Sequence, residues 1–259
     1  GTLTLSGAST FTGSTSVNDG TVVVSGSLAA STVTVGGSAT YTSAAILRGT
    51  GTVGSLQVGS AAGNPDATVD PGLAAETAGV LNAGTFSEGS HGHFALQLGG
   101  SDASTRTAGV DYDQIKTSGS VSLTAGADLQ LTLLAGYVHP AAGTNFFVVS
   151  NGGVALTGTF TSLNGLAQDL SDGRPVVIDG NPFLISYTGR SATNTFSGAG
   201  RDLVLQAIPE PASIFSLLSG LALCLLRRRR ADLNRDRQAS ARRPSRLSGH
   251  DRARLSPSA

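Results

Sequence analysis

From Gly1 onward, short β-branched or apolar runs alternate with small polar residues in a pattern that suits strands rather than helices. Gly1–Gly7 (GTLTLSG) and Gly20–Gly26 (GTVVVSG) share Gly, Thr, Ser and Gly at equivalent places and are offset by nineteen residues. Similar runs follow at Thr32–Val35, Ala39–Thr42, Thr52–Val58 and Thr68–Val69. Between them stand Asn18-Asp19-Gly20, Gly36-Gly37, Gly49-Thr50-Gly51 and Asn64-Pro65-Asp66, which carry turn chemistry. Strands this short cannot bury their inward Leu and Val alone. Stacked coil on coil they can, and a repeat near twenty residues predicts a solenoid.

The runs lengthen from Gly79 to Thr161, with strands expected at Thr85–Leu98, Val121–Leu123, Leu129–Leu134 and Phe146–Val149. Pro175–Thr188 reads as a hairpin through Asp179-Gly180-Asn181-Pro182, and Arg201–Ile208 as a last strand with Leu203 and Leu205 on one face. A bare final coil would offer its edge to other chains, so residues 79–207 are expected to cap the solenoid of residues 1–78.

The pattern changes again over 208–230, which reads IPEPASIFSLLSGLALCLLRRRR. Pro209 and Pro211 fix their own φ and hold their neighbours out of the helical region, so Pro209-Glu210-Pro211 is expected to be extended and accessible. The uncharged run Ala212–Leu226 would span roughly 22 Å as a helix, somewhat short of the usual ~30 Å of hydrocarbon. Arg227, Arg228, Arg229 and Arg230 can snorkel to headgroups and stop the segment on the cytoplasmic side. Residues 231–259, rich in Arg, Ser, Ala and Pro, lack apolar periodicity and read as a disordered basic tail. The expected fold is therefore all-β: a right-handed parallel β-helix with a capping β region, then one transmembrane helix and the tail.

The zero net charge hides a split. Residues 1–226 hold six Lys or Arg against fourteen Asp or Glu, a net of −8, and residues 227–259 hold eleven against three, a net of +8. An acidic body excludes nucleic acid as a partner, and the basic tail reads as a solvated, positive-inside extension. Charged residues make up only 13%, about half the ~25% of an average protein, leaving room for Gly, Ser, Thr and Ala at tight corners. Met is absent and Gly1 stands inside a repeat, so the chain reads as a fragment or trimmed product whose export signal lies upstream. Cys224, the only cysteine, lies in the apolar run and reads as inert.

Resemblances to two kinds of known protein add to this reading. Gly1–Gly26, with its Leu-Thr-Leu strand, Phe11-Thr12-Gly13, Val17-Asn18 and closing Gly-Thr-Val-Val-Val, resembles the autotransporter-associated β-strand repeat. The run from Val110 to Phe160, including Val110-Asp-Tyr-Asp-Gln-Ile115 and Leu129-Gln-Leu-Thr-Leu133, resembles the closing part of passenger β-helices. These imply a parallel β-helix but no particular activity. The second resemblance is of Pro209-Glu210-Pro211, the apolar run and the four arginines, in that order, to the PEP-CTERM sorting signal of Gram-negative envelope proteins. It implies export, transient anchoring in the inner membrane, and processing by an exosortase near the triplet. Family members usually stop soon after the arginines, whereas this chain continues for twenty-nine residues.

Candidate chemistry is sparse. Asp111 and Asp113, at i and i+2 of an expected strand, would share a face as a carboxylate pair requires, although their place in the capping pattern favours solvent or turn contacts. His91 and His93 share a face near Glu88 but lack further ligands in a recognised metal motif. Asp70-Pro71-Gly72 reads as a turn between coils, and Gly99-Gly100-Ser101-Asp102 as an unrepeated, superficial likeness to a calcium loop. Nucleophile elbows, phosphate loops and His-Glu-x-x-His are absent from the sequence. The expectation is a structural or adhesive protein of the cell surface or matrix, with no catalytic residue, metal or cofactor of its own. Its expected partners are exosortase, the lipid bilayer and exopolysaccharide. The rivals are a polysaccharide-acting β-helix enzyme and an autotransporter-like adhesin passenger, which would need a C-terminal β-barrel.

Overall fold

The structure, a computed structural model, describes residues 1–36, 40, 43–59, 67–102 and 106–209. The Asn64-Pro65-Asp66 turn and most of the expected strand at Ala39–Thr42 lie outside them, as does everything from Glu210 on, including the expected membrane helix and tail. No helix among the described residues is long and apolar enough to cross a membrane. Gly1–Glu210 forms one compact unit.

In chain order its strands are β1 Thr2–Leu5, β2 Thr15–Val17, β3 Gly20–Val24, β4 Ser27–Leu28, β5 Val33–Val35, β6 Ala45–Gly49, β7 Thr52–Val58, β8 Ala67–Pro71 and β9 Val80–Glu88. They continue with β10 Gly92–Leu98, β11 Gln114–Thr117, β12 Val121–Leu123, β13 Asp128–Leu133, β14 Asn145–Asn151, β15 Ser162–Leu163, β16 Leu166–Ala167, β17 Pro175–Ile178, β18 Asn181–Gly189 and β19 Asp202–Ala207. The chain visits two sheets in turn. One has the order β1-β3-β6-β8-β10-β13-β15-β16, and the other β17-β18-β19-β14-β11-β9-β7-β5-β2.

Pairing is parallel from β1 to β15 in the first sheet and from β2 to β14 in the second, as a β-helix-like stack requires. The offsets give the coil lengths. Thr2 pairs with Thr21, an offset of 19; Gly20 with Ala45, 25; Ala45 with Ala67, 22; and Ala67 with Gly92, 25. Later coils are longer: His93 pairs with Asp128 and Asp128 with Ser162, offsets of 35 and 34. The extra residues go into connections, so the rungs stay in register.

That register stacks like on like. The column Leu3, Val22, Leu47, Val69, Phe94, Leu129, Leu163 runs through the whole first sheet. Opposite it, Val33, Leu56, Phe86 and Val121 form a column of the second. Phe86 and Phe94 meet edge to face at 6.0 Å, joining the two sheets through the core. A strand too short to fold alone is thus buried by its neighbours above and below.

Two expectations are corrected. Thr85–Leu98 is not one strand: the chain turns at Gly89–His91, so β9 and β10 belong to different sheets. Asp70-Pro71 is no free turn but the end of β8, with Asp70 buried; only Gly72, at φ 131, turns the corner. The antiparallel closure is confined to the C-terminal strands. β15 and β16 form a hairpin, while β19 inserts antiparallel between β14 and β18 and β17 completes the edge. The expected hairpin at Pro175–Thr188 is present, turning at Asp179 (φ 48) and Gly180 (φ 80).

Corners are columns too. A methyl group on Gly26 would run into the Gly7 carbonyl, and one on Gly51 into the Gly26 carbonyl. On another corner the same holds for Gly84 against Gly54, Gly119 against Gly84, and Gly153 against Gly119. Each glycine leaves room for the carbonyl of the coil before it. Gly51→Ala is therefore expected to destabilise the protein by about 3 kcal/mol, whereas Gly7→Ala, with open space at its Cβ, should stay within about 0.5 kcal/mol. Urea midpoints followed by circular dichroism measure both; equal midpoints would refute the stacked corner.

Candidate functional site

Buried polar side chains occur at several places among the described residues, and two of these places involve the candidate residues. The first is the corner between β10 and β11. Arg48 on β6 stands in register with Asp70 on β8, and its Nε lies 2.6 Å from Asp70 Oδ2. Gln97 on β10 donates from Nε2 to Asp70 Oδ1 at 2.8 Å. Asp113, just before β11, is fully buried and accepts the backbone N–H of Gly79 at 2.8 Å and of Gln97 at 2.7 Å. Burial pushes the Asp113 carboxyl up to about 8, and the nearby Asp70 adds to the rise; the two N–H bonds favour the anion without offsetting this. These contacts tie three successive coils.

The second place is Glu88. It occupies the inward column Val17, Val35, Val58, Glu88, Leu123, where every other member is aliphatic. Its Oε1 accepts the Asp128 N–H at 3.1 Å, and its buried Oε2 has no partner among the described residues. Burial raises its carboxyl well above the ordinary value. Asp128 itself sits 2.9 Å from His93 Nδ1 through Oδ2 and accepts the Gly165 N–H at 3.0 Å through Oδ1. Burial alone would raise Asp128, but hydrogen bonds from Ser162, Gly165 and His93 outweigh it and hold the carboxyl below its ordinary value.

The candidate pairs do not assemble as the strand alternation predicted. The chain turns between Thr107 and Tyr112, and β11 starts only at Gln114, so Asp111 and Asp113 share no strand face. Asp111 accepts the Thr107 N–H at 2.8 Å within that turn, while Asp113 is buried rather than facing solvent. His91 belongs to the turn before β10 and pairs with Ser90 Oγ at 3.0 Å, whereas His93 pairs with Asp128. No group of three His, Cys, Asp or Glu is placed to hold a metal among the described residues.

A cleft of about 500 Å³ opens beside the closure, lined by Arg106, Tyr112, Asn145, Phe147 and Asn194 among others. Its polar groups serve the fold. Arg106 donates to the carbonyls of Asp102 and Val138. Asn145 donates to the Asn194 carbonyl at 3.0 Å and accepts from Gln206 at 3.0 Å.

Of the expected sorting triplet, Pro209 is described and exposed, while Glu210, Pro211 and Arg227 to Arg230 lie outside the described residues. Pro209 follows a fixed residue: Ile208 donates its N–H to the Pro182 carbonyl at 3.2 Å, and its own carbonyl lies 3.0 Å from His139 Nε2.

Two elements were missed in the sequence. Asn164-Gly165 between Leu163 and Leu166 is a strong short hairpin signal, and the structure uses it, with φ of 51 and 75. Glu88 could be recognised as interior only once the register of β7, β9 and β12 was known.

Parallel coils around a filled core, closed by antiparallel strands, define a β-helix-like protein. Within it, residues 1–24 match the family model described as the passenger-associated-transport-repeat. That stretch covers β1, β2 and β3, one coil and the rung stacked on it. No curated protein matches the chain.

The carboxylates give stability a signed pH dependence. Asp113 ordinarily titrates at 3.8 and holds its proton to about 8 when folded, so the folded chain binds the extra proton in that window and loses stability as pH rises through it. Asp128 acts oppositely, stabilising above its ordinary value and losing that contribution as pH falls through its depressed one. The melting temperature is expected to fall between about pH 4 and about pH 8, and Asp113→Asn should flatten the fall. Asp128→Asn should cost about 2 kcal/mol at neutral pH. Melting curves across this range test all three; a slope unchanged in Asp113→Asn would remove that residue as its source.

Proposed function

We propose that this chain is an exported, passenger-like surface or matrix protein whose role is structural or adhesive. In this reading the residues after the solenoid are a PEP-CTERM signal processed by an exosortase. The observation that carries the structural role is the filled interior. Apolar columns occupy it from Val17 to Leu163, and the buried carboxylates Asp70, Asp113, Asp128 and Asp202 are engaged by backbone N–H groups or neighbouring side chains. What remains outside is a surface rich in Thr, Ser and Gly, whose hydroxyls and amides suit wet, low-affinity contact with exopolysaccharide.

The match of residues 1–24 to the passenger-associated repeat supports export. The sorting reading is supported by the ordered triplet, apolar run and arginines. The place of Pro209 adds to it: the residue is exposed, one position after a backbone hydrogen-bonded to the fold. A protease or transpeptidase needs an extended segment that the folded body does not cover, and two prolines separated by one residue supply it.

Mass spectrometry of the exported protein's C-terminus tests the proposal. With an exosortase present the mature chain is expected to end near Pro209–Pro211, and alanine at Pro209, Glu210 and Pro211 together should leave the longer species. An exported product that retains Arg227 to Ala259 would reject processing and leave a simple anchor.

A further inference from the structure

Six lysines and arginines stand among the described residues, and three of them are engaged by the fold. Arg48 pairs with Asp70 at 2.6 Å and Arg174 with Asp169 at 2.9 Å, while Arg106 donates to two carbonyls and lies over the Tyr137 ring at 5.8 Å. Lys116, Arg190 and Arg201 are different. All three are exposed, and among the described residues no hydrogen bond or ion pair holds their side chains.

The register gathers these three on one face. Ile115 and Thr117 of β11 are buried, so Lys116 between them points outward. It is level with Asn82 on β9 and Ser150 on β14, and Asn82 is level with Thr52 on β7. The second sheet therefore carries an outward polar column, Thr52, Asn82, Lys116 and Ser150, with one rung every ~4.8 Å. A hollow of about 310 Å³ lies against Thr52, Asn82, Lys116 and Ser118, and another of about 240 Å³ against Ser150, Ser191, Arg190 and Arg201. Since Lys116 and Ser150 are register partners, the two hollows follow one another across adjacent rungs. Asp202 also borders the second hollow. It is buried, and its oxygens accept the Asn151 N–H at 2.7 Å and the Ser191 N–H at 2.6 Å, which fixes both walls and leaves three cations facing one acid.

We propose that this face binds an acidic polysaccharide, with uronate carboxylates against Lys116, Arg190 and Arg201 and sugar hydroxyls against Asn82, Ser150 and Ser191. The inference rests on the extracellular reading above and narrows its exopolysaccharide partner to an anionic one. Guanidinium groups present paired donors that match a carboxylate, and three cations grouped on an otherwise acidic body concentrate anions there. Two hollows in line suit a chain better than a lone ion. The chain's own C-terminal part is of the wrong sign to fill them, because residues 227–259 carry a net charge of +8.

Calorimetric titration of the full chain in mild detergent with a short oligogalacturonate tests the site, with a neutral glucan oligomer and inorganic phosphate as comparisons. Only the oligogalacturonate is expected to bind measurably, and its affinity should fall as salt is raised. Lys116→Gln, and Arg190→Gln with Arg201→Gln, should each weaken it by about fivefold or more, whereas Arg174→Gln, at an arginine paired elsewhere, should not. The substituted side chains are exposed and unbonded, so melting temperatures should match the parent; if one variant unfolds, the other decides. Undiminished binding in both variants, or phosphate bound as tightly as the oligomer, would overturn the site. Neutral glucan bound equally well would overturn it too, yet would leave the exopolysaccharide reading standing; binding to neither glycan would overturn both.

Discussion

Everything in this fold depends on one constraint: each rung is hydrogen-bonded in parallel register to the rung one coil away. Parallel pairing fixes which residue lies on which, and in a solenoid it does so again at every coil. An inward position is therefore a column, and its requirement is shared by every coil it passes through. The run from Leu3 to Leu163 meets that requirement with aliphatic or aromatic residues at seven successive levels. Coil length is free to vary because the connections, not the rungs, absorb it.

The same repetition explains the glycines. A corner that brings one carbonyl under the next coil's Cα must leave space at every level, and Gly26 and Gly51 on one corner, with Gly84, Gly119 and Gly153 on another, leave it. Such corners bury no side chain, so the sheets must hold the stack. The closure adds aromatic packing where the columns end. Phe146 contacts Tyr112 at 5.4 Å and Phe183 at 5.9 Å, both edge to face, and the Tyr187 hydroxyl donates to the Leu170 carbonyl and accepts from Phe160 N–H.

Much of this was legible in the residues. The nineteen-residue echo between Gly1–Gly7 and Gly20–Gly26 is the register of β1 on β3, and Thr52–Val58 and Val121–Leu123 coincide with β7 and β12. Thr85–Leu98 misled because apolar residues continue on both sides of Gly89-Ser90-His91; a three-residue turn in a solenoid needs no polar cluster when both flanking strands face the same core. The carboxylates misled for a related reason. Local alternation assigned Asp111 and Asp113 to one face, yet Asp113 lies where it does because of Gly79 and Gln97, residues 34 and 16 positions away. Contacts of that range are set by coil length, which a single sequence states only approximately.

Glu88 shows what a repetitive core lacks and how it can be supplied. Columns of valine specify register weakly, since a slip of two residues in β5 or β7 returns an apolar side chain to the same face. A carboxyl in the Val17–Val35–Val58–Leu123 column removes that freedom. The bond from Asp128 N–H to its Oε1 is made with Glu88 level with Val58 and Leu123. Slipped by two, the carboxyl would remain inside the core without a donor, at a cost of roughly 2 kcal/mol or more. Asp128 extends the constraint to the other sheet, because the residue whose backbone meets Glu88 is also held by His93 and Gly165. The burial that raises Glu88 is thus offset by specificity: the two sheets are locked in register at the level where the coils lengthen from 25 to 35 residues.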